Sequence, residues 1–162
     1  MSMFEDRQYQ WRETYFVLFH SAKRPRLGAL KKRLERADCR FTLANCVSDK
    51  KGLIESLTIL APDDFAALDI SYLAGEEVRE EARSLAAELK TAECGREERA
   101  KIDRLKACDG RFDILHFERV GDHAAEEEDE GMFDPSGLLI VLDALVELTG
   151  GIAVDPQSGA TL

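Results

Sequence analysis

The sequence has no long apolar run. No uninterrupted apolar stretch exceeds five residues, as in Leu138–Leu142, whereas a helix crossing a bilayer needs roughly 20. A membrane partner is therefore not expected. The opening residues, MSMFEDRQYQW, carry acids and lack the apolar centre of a secretory signal, so a cytoplasmic setting is expected. Cysteine is sparse. Cys39, Cys46, Cys94 and Cys108 form no C-x-x-C pair, which predicts free or buried thiols rather than bridges or a zinc site. No Walker loop, G-x-S-x-G elbow, H-E-x-x-H or G-x-G-x-x-G occurs. No cofactor or metal is expected, and the reading leans away from catalysis. Net positive charge is also lacking: the chain carries −10. Phosphate backbones need a cationic surface, and no K/R-G-F-G-F-like run offers stacking aromatics. A nucleic-acid partner is therefore not expected.

What is present suits one domain over residues 1–162 with a sizeable core. Its charge is unevenly spread. Residues 1–60 hold 12 Lys+Arg against 7 Asp+Glu, a net +5, while residues 61–162 hold 10 against 25, a net −15.

Residues 13–19 (ETYFVLF) read as a strand, apolar enough to be covered on both faces. Pro25 then suits the first position of a helix over about 25–37. Leu27, Leu30, Leu34 and Ala37 fall within an arc about 80° wide, with Arg26, Lys32, Arg33 and Arg36 placed opposite. Residues 40–47 and 53–60 read as strands joined by the hairpin turn Ser48–Gly52. In the second of these, Leu53, Leu57 and Ile59 are expected on one face, with Ile54 and Leu60 on the other. The turn APDD leads into a strand over 66–72, with Ala66, Leu68, Ile70 and Tyr72 on one face. A helix opens at Glu76 and is broken near Gly95. A strand over 111–120 follows, with His116 on the apolar side beside Phe112 and Ile114.

Residues 121–131 (GDHAAEEEDEG) are expected to form a solvated, flexible acidic loop. Asp134-Pro135 caps a final helix whose broad apolar surface must face a sheet or another subunit. Gly150-Gly151 end it, and Ile152–Val154 is a last short strand. The order β-α-β-β-β-α(α)-β-α-β predicts an α+β fold. It would have a mixed or antiparallel sheet with helices packed on it, and ferredoxin-like, split β-α-β character.

The candidate site is FHSAKRPRL. His20, Ser21, Lys23, Arg24 and Arg26 crowd a strand–helix junction. Cations there oppose the helix dipole at about 0.3–1 kcal/mol each, while helix-start amides favour anions. The expectation is a low-molecular-weight anion, phosphate or carboxylate, at these five residues. A competing expectation is that the acidic run Glu126–Glu130 attracts the basic helix, in its own chain or a partner's. Cys108 with His116 is a nucleophile-pair candidate, although eight residues across a turn and strand is not a diagnostic spacing. The leading functional expectation is a protein- or ligand-binding domain that forms a homodimer. The alternative is an enzyme or regulator that takes an anionic small molecule at the junction.

Overall fold

The computed structural model describes residues 9–37, 40–61, 66–90, 95–119, 136–157 and 161. It is an α+β fold. The elements are β1 (Tyr9–Phe19), a single 3-10 turn (Ser21–Lys23), α1 (Leu27–Glu35), β2 (Thr42–Ser48), β3 (Ile54–Ala61), β4 (Ala66–Ala74), α2 (Glu76–Lys90), α3 (Arg96–Lys106), β5 (Gly110–Arg119), α4 (Ser136–Thr149) and β6 (Ile152–Val154). The strands form one open sheet in the order β2-β3-β4-β5-β1-β6, and every neighbouring pair is antiparallel.

Side-chain alternation along the strands supplies two apolar faces. On one, Val17, Phe19, Leu68, Ile70, Phe112 and Ile114 pack under Leu30 and Leu34 of α1 and under Leu138, Val141, Leu142 and Leu145 of α4. Phe19, Tyr72 and Phe112 stack there with ring centroids 5.0–6.0 Å apart. On the other, Leu18, Ile152 and Val154 pack under Val78, Ala82 and Ala86 of α2 and Ile102 and Leu105 of α3. The interior strand β1 is thus covered on both sides along its C-terminal part, as its apolar text requires.

Two sequence expectations change, and one open alternative is decided. Pro25 does not open α1. It lies one residue before the helix N-cap Arg26, and its carbonyl accepts the Ile54 N–H at 3.0 Å, while Leu27 N–H donates to the Gly52 carbonyl. The segment is pinned to the β2–β3 hairpin and so stays extended until Leu27. Ile54 lies in the same core cluster as Leu57 and Ile59 rather than on the opposite face. A pairing irregularity opposite Val47 and Ser48 adds one residue to β3 and inverts the alternation there. The apolar surface of α4 is mostly core: only Leu139 among its large apolar residues stands exposed, at 50%.

Turn chemistry fits the sequence. Asp49 Oδ1 accepts the N–H groups of Lys51 and Leu53, each at 2.9 Å, and Gly52 adopts φ +80°. Gly150 takes φ +66° after α4, and its N–H donates to the Val146 carbonyl at 2.8 Å. The outer strand β2 carries no charged residue, but Asn45 has φ +51°, and the pairing with β3 shifts register between Ala44 and Val47. The acidic segment 121–131, the proposed cap Asp134-Pro135 and the turn at residues 62–64 lie outside the described residues.

Candidate binding surfaces

The strand–helix junction is built where β1 ends beside the start of β5. Phe19 pairs with Gly110, and Asp109 N–H donates to the Phe19 carbonyl at 3.2 Å. This brings the Asp109 carboxylate under the 3-10 turn. Ser21 donates to it twice, from its N–H at 2.7 Å and its hydroxyl at 3.0 Å. Arg79 of α2 approaches within 3.8 Å. Burial works to raise the Asp109 carboxyl. The two Ser21 bonds, with His20 and Arg79 nearby, outweigh it and hold the group below its ordinary 3.8.

The five sequence-predicted residues therefore divide. Ser21 and Arg24 already hold carboxylates of the chain itself. Arg24 donates to Asp49 at 2.7 Å and stacks over the Tyr72 ring, 4.3 Å from its centroid. The Leu53 N–H is the main influence keeping Asp49 below 3.8, and Arg24 adds to it. His20 caps the 3-10 turn: its Nδ1 accepts the Ala22 N–H at 3.1 Å. His20, Lys23 and Arg26 are exposed. No sequence pattern announced Asp109 or Asp49 as partners, because each lies far along the chain from the cation or hydroxyl it meets.

Cys108 and His116 do not meet. Cys108 belongs to the α2–α3 cluster and its thiol donates to the Arg104 carbonyl at 3.3 Å. Burial, with Asp109 adding to it, pushes the thiol up to about 11, so thiolate is scarce at neutral pH. His116 is fully enclosed in β5, with Nδ1 3.3 Å from Glu13 Oε1 across the strand pair. Burial lowers its pKa below 6.5, against the opposing pull of Glu13. Glu13 also bonds Tyr15, whose pKa is raised by burial first and by Glu13 next.

This fixes a pH dependence. Folded His116 holds a proton less tightly than the unfolded chain does. Below about pH 6.5 the unfolded chain binds more protons, so stability falls as pH falls, by up to about 1.4 kcal/mol per pH unit. The lowered carboxyls of Asp109 and Asp49 act only near and below 3.8. Urea unfolding between pH 7 and 5 should therefore show a slope that His116→Gln flattens. An unchanged slope in that variant would refute the assignment.

Two of the surface concavities lie away from these groups. One, about 390 Å³, lies on the sheet and is lined by Asn45, Val47, Ser56, Thr58, Asp69, Ser71 and Leu115. Thr58 donates to Asp69 at 2.6 Å across its floor. The other, about 530 Å³, runs between α1 and the start of β2 past Lys31, Glu35, Arg40 and Phe41. Among the described residues, no group of three or more His, Cys, Asp or Glu side chains is placed to hold a metal ion. Nor is any helix among them long and apolar enough to cross a membrane.

The exposed charge is sorted by element. Outward from the sheet, α1 shows Lys31, Lys32 and Arg36, with Glu35 the one acid among them, and neighbouring α4 shows Asp143 and Glu147. Arg33 Nε reaches Glu147 Oε2 at 2.7 Å and ties the two helices together. No family model, no curated protein and no solved structure matches this chain.

Proposed function

We propose that this chain is a binding domain rather than a catalyst, and that it works as a homodimer in the cytoplasm. The observation that carries the reading is the sorting of charge by sign onto two adjacent helices, beside chemistry-bearing groups that are turned inward. Ser21, Arg24, Cys108 and His116 all engage groups of their own chain. Exposed side chains of opposite sign line α1 and α4, with Glu147 also bonded to Arg33 of its own chain. The unbridged thiols Cys46 and Cys108 favour a reducing compartment. The accompanying fold reading is a widened ferredoxin-like arrangement. Strands β1 and β2, joined through α1, run the same way with β3, β4 and β5 lying between them.

The second reading is an anionic small molecule at the junction, favoured by the exposed His20, Lys23 and Arg26 beside the Ser21–Asp109 pair. An incoming phosphate or carboxylate must displace Asp109 or Asp49, which the chain holds at effectively intramolecular concentration. Two measurements separate the readings. Sedimentation should show a dimer at tens of micromolar, and a monomer throughout would overturn self-association. A thermal-shift screen with phosphate, nucleotides and carboxylates should leave the melting temperature unmoved. A rise that is lost in Arg24→Ala would instead establish the junction as the ligand site.

A further inference from the structure

Resting on the homodimer reading, we infer that the dimer forms through the α1–α4 face, each copy laying its basic α1 on the acidic α4 of a second copy. The argument starts from spacing. Lys32 and Arg36 are i, i+4 neighbours on the exposed side of α1, and Asp143 and Glu147 are i, i+4 neighbours on the exposed side of α4. Both helices cover the same sheet face, so the two stripes lie side by side and point the same way.

Direction comes next. α1 leaves the end of β1 and α4 leads into the start of β6. Strands β1 and β6 are antiparallel, so the two helices run in opposite directions. The Arg33–Glu147 bond sets their relative height. A two-fold axis lying between the helices and parallel to them preserves those heights while exchanging left for right. Lys32 then comes level with the partner's Glu147, and Arg36, one turn on, with the partner's Asp143. The same operation repeats both pairs, giving an isologous contact. The alternative two-fold, perpendicular to the helices, sets cation on cation and is disfavoured.

The remaining surface agrees with close approach. Leu139 continues the acidic stripe one turn further and is 50% exposed. It offers apolar surface to the aliphatic stems of the partner's α1 cations. Gly28 continues the basic stripe in the other direction, with nothing within 4 Å of where its Cβ would lie. A foreign partner would need both signs in matching positions, and a second copy supplies them without further assumption. The contact is polar, so it weakens as salt shortens the screening length to about 8 Å at 0.15 M.

Complementary charge reversal provides the test. One variant carries Lys32→Glu and Arg36→Glu, the other Asp143→Lys and Glu147→Lys. Each alone sets like charge on like charge, and its dimer dissociation constant should rise about tenfold or more at low salt. Mixed together, the two variants restore both sets of opposite pairs and should form a heterodimer. Circular dichroism melts confirm that each variant is folded, and the mixing result reports on the interface even where a melt shifts. A monomeric wild type would overturn the homodimer reading itself. A wild-type dimer that both variants preserve, or folded variants that fail to pair when mixed, would overturn only this placement.

Discussion

Gly151→Ala is expected to destabilise the fold by about 2–3 kcal/mol. The position lies where α4 gives way to β6, and the chain passes through the wall of the core there. A methyl group at Gly151 would fall inside the contact distance of the Leu18 carbonyl oxygen and stand 2.9 Å from both Phe19 Cβ and Thr149 Oγ1. None of these is the movable end of a long side chain. Leu18 and Phe19 belong to the buried C-terminal end of β1, and Thr149 is fixed twice. Its hydroxyl donates to the Leu145 carbonyl at 2.7 Å and accepts the Gly151 N–H at 3.0 Å. Relief requires β6 to move off β1. Gly150→Ala makes the useful contrast: it meets open space but sits at φ +66°, so it should lose only about 1 kcal/mol. Denaturant midpoints for the two variants measure the order directly. Equal losses, or a Gly151→Ala loss under about 0.5 kcal/mol, would contradict the crowding described here.

Leu145→Ala should have an equally large effect, about 2–5 kcal/mol, because its side chain is fully buried between α4 and the sheet and leaves a cavity. Leu139→Ala, six residues earlier in the same apolar text, should change monomer stability by less than about 0.5 kcal/mol. The pair separates the two roles an apolar helix can have. Leu145 reports on the core, and Leu139 only on what the outer face of α4 meets. Comparable losses at the two positions would mean that α4 is not seated as described.

The contrast within α4 shows what the sequence can and cannot express. Its apolar text announced burial but left open whether a sheet or a subunit supplies the other surface. The α+β class was legible because element types follow local periodicity: β4 alternates from Leu68 to Ser71, and α1 keeps Leu30 and Leu34 on its buried side. Arg33 was expected on the far side of α1 from the core, but it turns toward α4 because Glu147 is there to receive it. Ile54 changed face through one extra residue, which period-two reasoning cannot foresee. The junction was legible as a place of unusual charge. Its chemistry was not, since Asp109 reaches Ser21 only through the pairing of β1 with β5, and Asp49 reaches Arg24 only through the hairpin folding back on Pro25. Long-range carboxylates of this kind leave no local signature.

The left-handed residue in β2 has a consequence for how these molecules share a crowded solution. An outermost strand without charges would normally invite neighbouring chains to add rung upon rung. Asn45 bends that rim, so that a chain approaching sideways meets a broken row of donors and acceptors. Growth into fibrils is thereby discouraged by backbone shape, where many other proteins would place a lysine.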